Sequence, residues 1–165
     1  MTRLIATFAY VGYMRPASGT WGSAAAIPVA ALLHAWGGFA ALALATALAF
    51  VAGVWATRDL LRTTGETDPS EVVIDEVVGQ WIALWPLSLG LAMQGSDAAF
   101  LSLWPGWVTA FLAFRIFDIW KPGPIGLLDQ RHDAWGVMLD DVLAGFMAAT
   151  LVAVAAVFAH GVMGA

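Results

Sequence analysis

The sequence contains no cysteine and few charged residues. Without cysteine, the 165-residue chain can form no disulfide, no thiolate nucleophile and no cysteine metal site. Acidic and basic residues make up only 12% of the chain, about half the usual share for a soluble domain, whereas 61% is hydrophobic. A soluble fold of this length cannot bury so much apolar surface, so the composition predicts a chain embedded in a membrane.

The chain also has a deficit of positive charge. Seven basic residues face twelve acidic ones, which gives a net charge of -5 and argues against nucleic acid as a partner. The N-terminal stretch MTRLIATFAYVGY has one arginine and an apolar run that glycine and tyrosine interrupt. The polar, proline-containing stretch RPASGTWGS follows it, so we expect no cleaved signal peptide.

Acidic and basic residues are absent from Pro16 to Thr57, which is too long for one crossing of a bilayer that needs about 20 residues. Gly37-Gly38 offers a natural break, and Pro86 is expected to kink a later helix. The polar stretch PGPIGLLDQRHDAW predicts an interfacial loop with a short helix. Hydrophobic segments are predicted at about 21–35, 39–58, 72–93, 98–120 and 136–160. We therefore predict an all-α, polytopic membrane bundle of four to five hydrophobic helices plus short interfacial helices. The first segment is short enough that a re-entrant helix is an alternative.

The loops predict the orientation of this bundle. With five segments, all seven basic residues fall on one side, which the positive-inside rule makes cytoplasmic. The acids gather on the same side, with only Asp97 across the membrane. Acids contribute little to topology, so their clustering needs another cause.

Several acids lie in apolar helix ends rather than in loops: Asp75 and Glu76 in VVIDEVVG, Asp118 in RIFDIW, and Asp140 and Asp141 in VMLDDVLAG. An acid inside a spanning helix costs about 2.5–3.5 kcal/mol at the membrane centre, and grouped acids repel one another. A positive charge must offset this cost and this repulsion. Hard oxygen ligands, with no cysteine and no histidine pair at metal-binding spacing, favour Mg²⁺ or a similar cation.

Other features of these segments have both a functional and a purely structural interpretation. Arg115 and Lys121 supply fixed positive charge beside Asp118, although Arg115 and Asp118 could be a simple intrahelical ion pair. Gly79 and Gly145 each follow an aspartate by four residues and permit the close approach of another helix or of a ligand. Residues 19–23, GTWGS, could hold phosphate oxygens at a helix start or merely begin a helix.

Three motifs together resemble one known family. RPASGTWGS, VIDEVVGQWIAL and FRIFDIWKPGPIGLLD…WGVMLDDVLAG are similar to the phosphatidylglycerophosphatase A family of bacterial inner membranes, over roughly residues 10 to 147. The third motif, R-x-x-D-x-x-K-P followed by an Asp-Asp pair, is the most specific. One departure is that Ser18 stands where the family usually has proline before Gly-Thr.

The resemblance implies one compact all-helical phosphatase domain over residues 1–165, multi-pass in the bacterial inner membrane with its active site facing the cytoplasm. It implies Mg²⁺-dependent hydrolysis of the lipid phosphatidylglycerophosphate to phosphatidylglycerol and phosphate, with the nucleophile, water or a carboxylate, left open. Carried over by position, the active centre comprises Asp75, Glu76, Arg115, Asp118, Lys121, Asp129, Asp140 and Asp141, with Thr20 and Ser23 nearby. Arg115 and Lys121 are expected to bind the phosphate, and the metal is expected at Asp75, Glu76, Asp118, Asp140 and Asp141.

Two other functions fit the acidic clusters. A membrane phosphotransferase acting on CDP-alcohols also gathers aspartates at the cytoplasmic interface, but its longer pattern of spaced Asp, Gly, Ala and Arg is not found in this sequence. A cation carrier or channel would spread its acids through the depth of the membrane, whereas the second halves of these segments have none. The oligomeric state cannot be derived from these residues.

Overall fold

A computed structural model of the chain describes residues 1–66, 69–94 and 100–163. Within these ranges the chain is helical and contains no strand. Asp97, the acid predicted on the far side of the membrane, lies outside the described residues. The helices are α1 (Thr2–Ala6), α2 (Ser18–Thr64), α3 (Ile74–Gln94), α4 (Trp104–Trp120), α5 (Pro124–Asp129) and α6 (Ala134–Met163), with short 3₁₀ turns at Val11–Tyr13 and Phe100–Ser102.

The longest helix, α2, is two helices joined at the predicted break. Gly37 and Gly38 both depart from helical dihedrals, and Gly38 has a φ of +62°, which glycine adopts at least cost. The first arm, residues 18–36, is roughly 28 Å long at 1.5 Å per residue, about the thickness of a hydrocarbon core. It therefore has the length of a full crossing, although the sequence suggested a shorter segment.

Among the described residues, three helices are long and apolar enough to cross a membrane: Ser18–Thr64, Ile74–Gln94 and Ala134–Ala159. The predicted fourth segment begins later than expected, because residues 100–102 form a 3₁₀ turn and α4 starts only at Trp104, with Pro105 in its first turn. Proline fits there since its missing N–H has no helical partner anyway. α3 continues through Pro86 as one helix, and the predicted short interfacial helix is α5.

α3 lies at the centre of the bundle. In the most apolar 18-residue stretch of α3, 56% of the residues are buried, whereas the corresponding stretches of α2 and α6 are each only 22% buried. The Trp81 indole donates a hydrogen bond of 2.9 Å to the Ala26 carbonyl, and His34 Nδ1 lies 2.7 Å from Ser88 Oγ. These contacts show that the first arm of α2 runs parallel to α3. Large apolar side chains on the outer faces, such as Leu32, Trp36 and Val154, are exposed, as expected where lipid covers the protein.

α3 and α6 cross at the two glycines that the sequence indicated. A Cβ added to Gly145 would lie 2.5 Å from the Gly79 carbonyl oxygen, and one added to Gly79 would lie 2.6 Å from the Asp141 carbonyl oxygen. The predicted close helix approach is confirmed. It sets Asp75, in the first turn of α3, near Asp141 of α6.

Gly145→Ala is expected to destabilise the protein by about 1–3 kcal/mol, because the new methyl group meets backbone atoms that cannot move without separating the helices. The midpoint of unfolding in detergent, followed by circular dichroism, measures this. Gly90→Ala is the control: nothing lies within 4 Å of a Cβ at that helical position, so the substitution should be neutral or slightly stabilising. Equal midpoints for the two variants would contradict the close crossing.

Candidate active site

The starts of α2, α3 and α6 and the end of α4 meet at one end of the bundle, around a cavity of about 330 Å³. The first arm of α2, α3 and α6 run away from this end, whereas α4 runs towards it. The wall of the cavity is mostly charged and polar. It is lined by Ser18, Pro69, Ser70, Val72, Asp75, Glu76, Asp118, Lys121, Asp129, Arg131, His132, Val137, Asp140 and Asp141.

Three carboxylates in this wall converge. Asp75, Glu76 and Asp141 each offer one oxygen, and the three oxygens lie within 4.8 Å of one another. Asp75 and Asp141 are buried, and Glu76 Oε2 is buried without a hydrogen-bond partner among the described residues. A buried, unpartnered carboxylate oxygen next to two further carboxylates is costly unless a cation binds there. The donor set, all hard oxygen, fits Mg²⁺.

Gly19 at the start of α2 lets this cluster form. A Cβ at position 19 would overlap Glu76 Oε1 and lie 3.2 Å from the nearest guanidinium nitrogen of Arg115. The glycine thus leaves room for the Glu76 carboxylate against the backbone of α2. The conformation of Glu76 therefore depends on Gly19, whose segment the sequence suggested either as a phosphate contact or merely as the start of a helix.

Arg115 lies behind the carboxylates rather than in the wall of the cavity. Its guanidinium nitrogen is 2.6 Å from Asp118 Oδ2, 4.0 Å from Glu76 Oε1 and 3.5 Å from Ser23 Oγ. The Arg115 and Asp118 side chains are only 14% and 12% exposed, which makes this pair much less screened than a surface ion pair. The intrahelical pair considered from sequence is present, and it also connects α4 to α3 and α2.

Lys121 marks the end of α4 and reaches into the cavity. The helix ends at Trp120, Lys121 adopts the left-handed conformation, and Pro122 follows. The ammonium is hydrogen-bonded to Asp129 and lies 2.7 Å from Asp140 Oδ2. Partial burial disfavours the charged form, but the hydrogen bonds to the two aspartates outweigh it and raise the pKa of Lys121 above its ordinary value.

A second basic residue in the wall, Arg131, belongs to the loop between α5 and α6. Its guanidinium is 3.0 Å from Asp133 Oδ2, and both side chains are about half exposed. Asp133 also caps α6, because its Oδ1 accepts the Gly136 N–H at 2.8 Å. The hydrogen bond from Arg131, followed by that of the Gly136 backbone, holds the pKa of Asp133 below its ordinary value.

The profile of the phosphatidylglycerophosphatase A family matches residues 4–156, nearly the whole chain and every residue of this cavity. The chain belongs to the phosphatidylglycerophosphatase A family. The match confirms the resemblance drawn from the three motifs and makes the chain a phosphatase.

Curated relatives carry two kinds of lipid phosphatase name. The chain is 36% identical to the phosphatidylglycerophosphatase A of Haemophilus influenzae, over 86% of this chain and 80% of that one. It is also 36% identical to the Escherichia coli phosphatidylglycerophosphatase A, over 79% and 69%. A Bacteroides thetaiotaomicron protein provisionally named phosphatidylinositol-3-phosphatase is 39% identical, over 92% and 91%. No solved structure matches the chain significantly.

Most of the residues that this family resemblance implied come together. Asp75, Glu76, Asp118, Lys121, Asp129, Asp140 and Asp141 all line the cavity. Arg115 and Ser23 contact each other just behind it, and Thr20 does not line it. Arg115, Thr20 and Ser23 lie outside the wall and Lys121 lies in it, and the phosphate contact expected of these four residues stays a prediction.

Sequence reasoning missed seven residues of the wall, of which four are polar or basic: Ser18, Ser70, Arg131 and His132. Ser18 stands at the departure from the family's first motif, and its hydroxyl donates to the Ser70 carbonyl oxygen. Ser70 Oγ in turn accepts a hydrogen bond of 3.0 Å from Arg15. His132 is both exposed and part of the wall. The one sequence feature that could have indicated Arg131 and His132 is their position in the loop between the GLLD and VMLDD motifs, both of which carry predicted site residues.

Proposed function

We propose that this phosphatase removes the terminal phosphate from phosphatidylglycerophosphate, giving phosphatidylglycerol and inorganic phosphate, with Mg²⁺ as cofactor. The observation that carries the proposal is the convergence of Asp75, Glu76 and Asp141 within 4.8 Å, in a cavity that Lys121 also lines. A carboxylate cluster suits a cation and a lysine suits a phosphate, whereas neither alone would serve a phosphomonoester.

The cavity is proposed to face the cytoplasm of a bacterial inner membrane. The basic residues of the described helix ends lie at the end of the bundle that holds the cavity, and the positive-inside rule orients such an end inward. The headgroup of a lipid made in the inner leaflet lies at this depth. A lipid phosphate can therefore reach the carboxylates without leaving the membrane.

Asp75, Glu76 and Asp141 would hold the cation, with Asp118 and Asp140 next to them in the wall. When bound, Mg²⁺ supplies positive charge that lowers the repulsion between phosphate and carboxylates and stabilises charge during transfer. Arg115 holds the Asp118 and Glu76 carboxylates in place from behind.

Lys121 would contact a non-bridging oxygen of the phosphate. Its raised pKa keeps the ammonium charged and makes it a poor proton donor, so its contribution is electrostatic. In the reaction, the bond between the terminal phosphorus and the headgroup oxygen breaks. An oxygen of water, directly or after a carboxylate, bonds to the phosphorus, and the headgroup leaves as an alcohol.

Phosphatidylinositol 3-phosphate is a second candidate substrate, favoured by the name of the Bacteroides relative at 39% identity. Like phosphatidylglycerophosphate, it is a lipid with a phosphomonoester on its headgroup. A CDP-alcohol phosphotransferase finds no support, because the matching family is one of phosphatases. A channel is disfavoured, because the acids of the described residues lie at or beyond the cavity end of the helices.

Phosphate release by the purified protein in detergent micelles tests this function. We expect release from phosphatidylglycerophosphate with Mg²⁺, a fall below a hundredth of that rate in excess EDTA, and full recovery when Mg²⁺ is restored. We also expect slower release from phosphatidylinositol 3-phosphate.

Each arm of this assay has its own contradicting outcome. Activity that survives EDTA would reject the cation site, and faster release from the inositol lipid would make that lipid the substrate. CMP release from a CDP-alcohol, in place of phosphate release, would restore the phosphotransferase.

A further inference from the structure

One cation in the cavity wall has no role in the carboxylate centre. In the described part of the chain, the cavity wall contains one lysine and one arginine, Lys121 and Arg131. Lys121 is bound to Asp129 and Asp140. The Arg131 ion pair is instead with Asp133, in its own loop, and its side chain is 52% exposed. Arg131 therefore lies at the rim of the cavity, with a guanidinium that faces solvent.

The loop that carries Arg131 is fixed to α6. A Cβ at Gly136 would overlap the Arg131 carbonyl oxygen, so the loop packs directly against the first turn of that helix. The Asp133 side chain, in the same loop, also accepts a hydrogen bond from the Gly136 N–H and so holds the loop against the first turn of α6. Since α6 also carries Asp140 and Asp141, the backbone of Arg131 is held at a set distance from the carboxylate centre.

Both candidate lipids carry a second phosphate. Besides the terminal monoester, each has a phosphodiester that joins the headgroup to diacylglycerol and bears one negative charge. With the monoester at the carboxylate centre, this diester would lie nearer the rim of a cavity with more acidic than basic residues, where a cation would stabilise it. A guanidinium can donate two parallel hydrogen bonds to a phosphate.

We propose that Arg131 binds the phosphodiester of the lipid and so selects substrates that carry a diester as well as a monoester. This rests on the phosphatase function proposed for the same cavity. The exposed ion pair with Asp133 is worth little, so the guanidinium can turn to the lipid at small cost. Arg131 is then a specificity-determining residue, separate from the residues that surround the reacting phosphorus.

The test is Arg131→Gln, assayed with phosphatidylglycerophosphate in mixed micelles. A contact made equally in the ground state and the transition state should raise KM about tenfold and leave kcat within twofold. Two inhibitors locate the lost contact. Short-chain phosphatidylglycerol carries only the diester, and its Ki should rise about tenfold. Inorganic phosphate resembles only the monoester, and its Ki should not change.

Arg62→Gln is the matched control, because it removes one exposed positive charge from the same end of the bundle outside the cavity wall. It should leave KM and both Ki values unchanged, which separates a specific contact from general attraction to an anionic lipid. If Arg131→Gln cannot be purified, Arg131→Lys replaces it. This variant keeps the charge without the paired donors, and a KM rise of about threefold is expected.

An unchanged KM in Arg131→Gln, or an equal rise in both Ki values, would overturn the diester site. A fall in kcat at constant KM would do the same, since it would place Arg131 at the reacting phosphate. The wild-type protein separates this from the proposed function. If it releases no phosphate from either lipid the function itself fails, whereas release with unaltered KM in the variant rejects only the role of Arg131.

Discussion

Asp141→Asn is expected to lower the rate of phosphate release about a thousand-fold while the protein still folds. Asp141 supplies one of three carboxylate oxygens that lie within 4.8 Å, and an amide in its place removes a formal charge from the proposed cation site. Loss of about 4 kcal/mol of charge stabilisation in the transition state corresponds to such a factor. The measurement is kcat for phosphate release from phosphatidylglycerophosphate in saturating Mg²⁺.

Stability gives a second and opposite readout for the same variant. In EDTA the three carboxylates repel one another, so removing one charge should raise the unfolding temperature relative to the wild type. Added Mg²⁺ should stabilise the wild type, by binding only the folded form, and should stabilise Asp141→Asn much less. A merely structural aspartate would predict the reverse, with a less stable variant in both conditions.

Asp59→Asn is the control for this substitution. Asp59 is exposed near the end of α2 and lies outside the cavity wall, so its neutralisation should change neither kcat nor the stabilisation by Mg²⁺. Titration calorimetry with Mg²⁺ alone completes the set, because it needs no substrate. Wild-type Mg²⁺ affinity in Asp141→Asn would remove Asp141 from the cation site.

The features that sequence predicted well are those set by short-range chemistry. The break at Gly37-Gly38 was predicted because two adjacent glycines weaken a helix, and both residues depart from helical dihedrals. The sequence also predicted that Gly79 and Gly145 each admit a close helix or ligand, because small residues leave room for a neighbour, and α3 and α6 pack against each other at these two residues. The order of segments and loops placed most of the acids at one end.

What sequence could not predict is which way a side chain turns. Arg115 and Lys121 are both cations of one helix end, and both were assigned to the phosphate. Arg115 lies before the helix ends, so its side chain is directed into the bundle towards Glu76, whereas the left-handed backbone at Lys121 directs that ammonium into the cavity. Only the packing of α4 against α3 and α2 distinguishes the two positions.

Loop residues were missed for a different reason. Arg131 and His132 follow no helical pattern, and their place in the wall depends on how Gly136 and Asp133 fold the loop onto α6. The late start of α4 was missed because residues 100–103 are as apolar as the helix that follows them. In both cases the backbone, and not the residue type, decides the position.

Arg115→Gln is expected to reduce kcat about a hundred-fold and to destabilise the protein by about 3 kcal/mol in EDTA. The substitution leaves the largely buried Asp118 and Glu76 carboxylates without their cation, which is the costly way to break a buried ion pair. Mg²⁺ should restore part of the lost stability, because it offsets the same charges. KM for the lipid should change less than threefold, since Arg115 does not line the cavity.

Arg115→Lys distinguishes positioning from substrate binding. A lysine keeps the charge, but its ammonium is on a shorter side chain than the Arg115 guanidinium nitrogen that contacts Asp118, Glu76 and Ser23. An intermediate loss in kcat of about tenfold is therefore expected, with most of the stability retained. Arg58→Gln, an exposed basic residue near the end of α2, should match the wild type in every measurement. If Arg115 instead bound the phosphate, both Arg115 variants would raise KM and leave the unfolding temperature in EDTA unchanged, because the folded protein would then lose no internal contact.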